Sequence, residues 1–259
     1  MTSVTYTLDN LSFDYGGTEV LRNLNHVFEP GLVHAVVGPN GSGKSTLLSL
    51  LAGHHSPVFG QALVNDSNVT ALSPKQQATL CAMVPQEFRF NFPFSVFDAV
   101  LMGRHPHIPR FSRPSDEDIT AAHAAMITMD IAHLSARPLS ELSGGEKQRT
   151  VFARALAQST PGLLLDEPTS SMDIRHALAA MTELRRLARK DNRTIIAVLH
   201  DLNLAASYCD RVLIFKDGRI HAHGTPGNAL TPETIRDVFG VTAQVMRDSS
   251  NSLVITYVP

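Results

Sequence analysis

The eight residues Gly38-Pro39-Asn40-Gly41-Ser42-Gly43-Lys44-Ser45 constrain the fold more than any other stretch of this chain. They match in full the pattern of a phosphate-binding P-loop, whose glycines let the backbone curl until successive N–H groups face one anion. The apolar run 32–37 precedes them and reads as a buried strand. Residues 44–52 carry leucines at helical spacing, and Gly53 is the expected stop. Strand, glycine-rich turn and helix in that order bring the positive end of a helix dipole to the loop. A nucleotide is the expected ligand. Gly38, Asn40, Gly41 and Gly43 belong to its cradle, and Lys44 reaches the β- and γ-phosphates. Ser45 offers a hydroxyl to Mg2+, and Thr46 adds a hydrogen bond nearby.

A second feature complements the first. Leu163-Leu164-Leu165-Asp166-Glu167 is an apolar strand that ends in two carboxylates. Adjacent strand residues point to opposite faces, so the two acids need not share a task. Asp166 is the expected Mg2+ partner, directly or through water, and Glu167 the expected polariser of an attacking water. Phosphoryl transfer asks for a held metal, neutralised charge and a positioned nucleophile. Without the loop upstream, two solvated acids at a strand end would be an equal reading.

The remaining patterns agree with an α/β chain. Residues 4–8 alternate apolar and polar, 11–15 continue in that style, and Gly16-Gly17 reads as a hairpin turn. The runs 195–199 and 212–215 look like buried parallel strands, separated by helical patterns at 174–190 and 202–209. Residues 116–136 lack proline and glycine and read as one helix with acids in its first turn; another follows Gly144-Gly145. Asp217-Gly218 is a turn and 231–239 a late helix. The stretch 87–157 therefore reads as a helical subdomain set into a core formed by 1–86 and 158–259.

Composition excludes little but usefully. With 43% hydrophobic residues in 259, the chain can bury a large core. A formal net charge of −2 gives no global reason to bind nucleic acid. Cys81 and Cys209 stand far apart without metal-type spacing, so two reduced thiols are expected. The first ten residues show no signal-peptide pattern, and no run approaches the roughly 20 apolar residues that span a bilayer.

Leu142-Ser143-Gly144-Gly145-Glu146-Lys147-Gln148-Arg149 narrows the field. Ser143, Gly144 and Gly145 make a second phosphate-facing turn at a helix start; a serine cap alone leaves the second glycine unexplained. The run resembles the signature sequence of ABC-transporter ATPases, and the resemblance extends over nearly the whole chain. It implies that Gln86 is the Q-loop glutamine, sensing Mg2+ and water and linking to the permease. It implies that Ser170-Ser171-Met172-Asp173 is the D-loop that crosses between cassettes, that His200 is the switch histidine at the γ-phosphate, and that Tyr15 stacks on adenine. Taken singly, these are a surface glutamine, a structural histidine and an amphipathic residue at a strand end. Two places depart from the family pattern. Ser171-Met172 stands where alanine and leucine are usual, and Gly162 replaces a bulky apolar residue, which should loosen the strand start.

The fold implied is α/β: a P-loop NTPase core of the ABC ATPase type with a mainly parallel sheet, an N-terminal antiparallel β subdomain and an inserted helical subdomain. The cofactors implied are ATP and Mg2+, with Glu167, His200 and Gln86 as the catalytic set and Ser45, Gln86 and Asp166 around the metal. One chain holds one P-loop and one signature turn, so the resemblance implies a head-to-tail homodimer with ATP between Lys44 of one copy and Ser143–Gly145 of the other. It also implies a permease docking near Gln86 and the helical subdomain, a periplasmic or lipid-anchored binding protein as an indirect partner, no nucleic acid, and a peripheral place on the cytoplasmic face of the inner membrane. Leu101-Met102-Gly103-Arg104-His105-Pro106-His107 with Phe111, and the pieces His223-Gly224-Thr225-Pro226 and Val238-Phe239-Gly240-Val241, are similar to importers of iron chelates, haem and cobalamin. His105 and His107 are expected on the ATPase surface, away from cargo. A DNA-repair or ribosome-acting relative would carry a long coiled coil, a zinc module or two cassettes, and an exporter would favour fused membrane spans.

Overall fold

A computed structural model of the chain describes residues 3–86, 88, 93–249 and 251–258. In chain order its strands and helices begin with β1 (Tyr6–Tyr15), β2 (Thr18–Phe28), β3 (Val33–Val37), α1 (Lys44–Leu51), β4 (Phe59–Val64), β5 (Ser67–Asn68), α2 (Pro74–Leu80) and β6 (Cys81–Val84). Then come α3 (Val96–Leu101), α4 (Asp116–Thr128), α5 (Gly144–Ala157), β7 (Gly162–Asp166), α6 (Ile174–Asp191) and β8 (Thr194–Val198). The last are α7 (Leu202–Tyr208), β9 (Arg211–Lys216), β10 (Arg219–Gly224), α8 (Pro226–Ala229), α9 (Pro232–Phe239), β11 (Ala243–Arg247) and β12 (Leu253–Tyr257).

Among the described residues the main sheet runs β10-β9-β3-β8-β7-β6, parallel throughout except for β10 at the edge. β3, β7 and β8 are buried at every position, as their unbroken apolar runs require of strands covered on both faces. Side-chain alternation divides them between two cores. Val33, Ala35, Leu163, Leu165, Ile195, Ala197, Val212 and Ile214 face α6 and the helical subdomain. Val36, Leu164, Ile196, Val198, Leu213 and Phe215 face α1 and the antiparallel sheet β2-β1-β4-β5.

The antiparallel sheet contains the alternating stretches 4–8, from Tyr6 on, and 11–15 in one strand. β1 runs unbroken to Tyr15, with its register shifting between Leu8 and Leu11 where Asn10 takes φ 48°. This is a bulge, an extra residue within one strand. The expected turn at Gly16-Gly17 pairs Tyr15 with Thr18.

α3, α4 and α5 pack on one another as the expected helical subdomain, whose first residue, Glu87, lies outside the described residues. The helix expected over 116–136 stops earlier, at Thr128. Asp130 takes φ 53°, its N–H donates to Ile127 O, and the Ile131 N–H reaches back to Met126 O at 2.9 Å. That is a Schellman closure with aspartate where glycine is usual, and burial of Ile131 drives the reversal.

Gly162 corrects another expectation. It does not loosen β7: it pairs with Cys81 and with Thr194 and is buried. A Cβ there would stand 2.5 Å from the Tyr6 hydroxyl and 3.0 Å from Leu80 O, so the larger residue usual in the family has no room beside this Tyr6. Both cysteines are free thiols, and burial pushes Cys81 up to about 12. No described helix is long and apolar enough to cross a membrane.

Candidate functional site

β3 delivers the chain into the P-loop and α1 takes it away. Gly38 has φ 156°, and a Cβ on it would lie 2.3 Å from Phe215 O at the end of β9. Gly43 has φ 99° and presses on Leu21, 2.5 Å from where a Cβ would be. Side chains at either place would push the loop off the sheet. Gly43 is also the N-cap of α1 and offers no side-chain bond, so the first N–H groups of that helix keep their capacity for an outside acceptor. Lys44 is buried, and its Nζ donates to Gly38 O at 2.9 Å and Pro39 O at 2.8 Å. Burial lowers its pKa, against the opposing pull of Glu167 and Asp166.

Asp166 closes β7 beneath the loop and is only 4% exposed. Burial raises its pKa, while a hydrogen bond from Ser45 and the charges of Lys44 and His200 work the other way. Its Oδ1 is buried with no hydrogen-bond partner among the described residues. An orphaned carboxylate oxygen beside a serine hydroxyl supplies oxygen donors of the kind a hard divalent cation takes.

The next residue turns sharply away. Glu167 adopts φ 50°, its N–H donates to Val198 O, and its carbonyl accepts from Ser170. This left-handed step gives the two acids different surroundings. The Glu167 carboxylate meets His200 Nε2, carried in at the end of β8. A cleft of about 590 Å3 is lined by Asn40, Gly41, Gly43, Lys44, Ser45, Thr46, Gln86, Glu167 and His200. The sequence-derived candidates thus converge, and Val20 supplies a wall that nothing in its surroundings signalled.

Two groups of candidates stand apart from that lining. Ser143 caps α5 in a reciprocal box with Glu146, its N–H and hydroxyl each 2.7 Å from Glu146 Oε2, and it faces solvent with Gly144. A Cβ on Gly145 would lie 3.0 Å from Ser171 O, so this turn rests on the backbone of the 170–173 loop. Gln148 of the same helix donates to Pro168 O, beside Glu167. Tyr15 is 51% exposed, with its ring edge-on to Phe13 (4.8 Å) and His55 (5.6 Å). His107 bonds Gln158 O on the outside of the helical subdomain.

A second, mostly apolar cleft of about 440 Å3 opens beyond Glu167 and His200, walled by Met172, Ile174, Leu178, Leu199 and Leu204. Ile174 is 80% exposed there.

Comparison with known proteins gives a consistent picture. The family model described as ABC transporter matches residues 21–170. The chain is 43% identical over 239 residues to a hemin import ATP-binding protein of Pseudomonas fluorescens, covering 90% of this chain and 92% of that one. It is 41% identical over 257 residues to a cobalamin import ATP-binding protein of Halobacterium salinarum, with 99% of this chain matched but only 64% of that protein's length spanned. Among solved structures it resembles a chain from a metal-chelate type ABC transporter in an inward-facing conformation, at TM-score 0.84 and 32% identity, covering 99% and 98% of the two chains. A bacterial ABC transporter cassette solved as a dimer matches at TM-score 0.78 and 26% identity, over 85% of this chain and 98% of that one.

Proposed function

This chain belongs to the ABC transporter family, and from that premise we propose that it is the ATP-hydrolysing subunit of an importer, acting as two copies beneath a membrane permease. The observation that carries the reading is the division of the phosphate-binding elements. The P-loop cleft gathers Lys44, Glu167 and His200, while the turn Ser143–Gly145 lies outside it and faces solvent. A nucleotide on Lys44 then completes its shell with the turn of a second copy, in a head-to-tail pair with two composite sites. The apolar cleft beside Ile174 is surface that such a pair would cover.

In this proposal the N–H groups of the loop and of the start of α1 bind the phosphates, with Lys44 leaving its two carbonyl partners for the β- and γ-phosphates. Tyr15, backed by Phe13 and His55, offers a ring face to adenine. Mg2+, held by Ser45 and Asp166 and reached by Gln86, would neutralise phosphate charge. Glu167 orients and polarises the attacking water, and His200 bonds both Glu167 and the γ-phosphate. ATP is a ligand shared by two copies, so its hydrolysis removes contacts on both sides and opens the pair; that differential is what can move a permease. Iron chelate, haem or cobalamin is the proposed cargo, in keeping with the names of the relatives. The subunit is placed peripherally on the cytoplasmic face, with a binding protein as an indirect partner.

Two measurements test this. Gly144 has open space where a Cβ would go, so Gly144→Arg should leave ATP binding by a single chain unchanged and prevent ATP-driven pairing. ATP-dependent dimers of that variant in sedimentation would refute the composite site. Cells lacking this chain should fail to accumulate labelled haemin, ferric siderophore or cobalamin; normal uptake of all three would refute the cargo class.

A further inference from the structure

We infer that Asn203 and the C-terminal hairpin β11–β12 splint the segment that carries His200, so that a part of the chain outside the nucleotide loops sets the rate of turnover. The inference rests on the proposed role of His200 at the γ-phosphate.

His200 is held on one side by strand pairing, through the Leu199 N–H to Val36 O at 3.2 Å, and its Nε2 meets the Glu167 carboxylate. On the other side the chain passes at once into α7. Asp201 caps that helix, its Oδ1 accepting from Asn203 N at 2.8 Å and Leu204 N at 3.2 Å. α7 is seven residues long, too short to hold its own shape in water, so outside contacts must fix it. Leu202 and Ala205 are buried and supply part of that hold.

Arg185 Nη1 donates to Ser207 O at 3.2 Å, and Asn203 adds a directional hold nearer His200. Its Nδ2 donates to Ile255 O at 3.1 Å, and its Oδ1 accepts from Ile255 N at 2.8 Å. A side-chain amide carries one donor and one acceptor in the arrangement of a peptide unit, so Asn203 pairs with β12 as an added strand residue would. In an antiparallel pair the N–H and C=O of one residue point the same way. Ile255 pairs with Val245 in register, yet both its polar groups turn outward to Asn203. An open hairpin edge is thereby closed by one residue of α7.

The dependence is mutual. A lone two-stranded hairpin is marginal in water, and this one is seated by Ala243 and Ile255 against the main core. Burial raises the Tyr257 hydroxyl's pKa, and the Asp201 charge adds to it. Asn203, three residues after His200, thus bonds the hairpin directly. Asn203 is a positioning residue, acting through the backbone that leads to His200.

The test uses the full chain with ATP. Asn203→Ala should lower kcat about tenfold with nucleotide affinity within about twofold of the parent. Amide hydrogen exchange over residues 201–208 should quicken while that of α1 stays unchanged. Asn203→Asp keeps the acceptor for Ile255 and loses the donor, so it should fall between. His200→Ala separates the two ways of failing. If it leaves kcat intact, the role of His200 fails and the inference falls with it. If it stops hydrolysis while folded Asn203→Ala keeps kcat within about twofold, the splint alone is overturned. Unchanged exchange over 201–208 in Asn203→Ala, or equal loosening of α1 with loss of nucleotide affinity, also overturns it.

Discussion

Glu167→Gln should abolish steady-state hydrolysis, by a factor of about 100 or more, while ATP still binds and two copies become locked together. The substitution is close to isosteric, so the left-handed step at position 167 and its bond to Val198 O remain. It removes the charge that polarises water and leaves Lys44, Ser45 and Asp166 as they were. With binding intact and turnover stopped, the shared nucleotide should persist and the dimer with it. Phosphate release and gel filtration with ATP read the two halves separately. Turnover within a few-fold of the parent would remove Glu167 from its role. Lost turnover with monomer only would leave the acid in place and remove the pairing.

Lys44→Ala should weaken ATP affinity by about 10- to 100-fold, in proportion to a charged hydrogen bond worth about 1.5–3 kcal/mol, and hydrolysis should fall with it. The ammonium bonds two loop carbonyls, Gly38 O and Pro39 O. Burial lowers its pKa, and the charges of Glu167 and Asp166 nearby oppose that shift. Removing it leaves the two carbonyls without that donor and the acids without a counter-charge. The measurement is calorimetric titration with ATP, with circular dichroism to show the variant folded. Equal affinity in a folded variant would contradict the phosphate-binding role.

The parts of this site that are legible in sequence are those fixed by local chemistry. Gly38, Gly43 and Lys44 are readable because a backbone curling around an anion admits few residue types, and Asp166-Glu167 because the P-loop upstream gives two strand-end acids a metal and a water to serve. The left-handed step at Glu167 is not readable: glutamate gives no sign of it, and it arises where the chain leaves β7 to bond Val198 O. Val20 joins the cleft only because β2 passes beneath Gly43, a contact between distant stretches of chain.

Fold elements follow the same rule. Helix α6, amphipathic and capped by Asp173, is found within a residue of its expected span. The early stop of α4 escapes because Asp130, and not glycine, takes the reversing conformation. The hairpin β11–β12 escapes because much of it is exposed and its edge partner is a side chain fifty-two residues away. The room for Gly162 is set by Tyr6, which no local pattern connects to it.

The seat of the signature turn has a mechanical consequence. Gly145 lies on the Ser171 carbonyl, and Gln148 grips Pro168 one residue past Glu167. In the proposed pair, the turn that touches one nucleotide is therefore geared to the catalytic acid beside the other. In that proposed pair each copy would have one arm in either site.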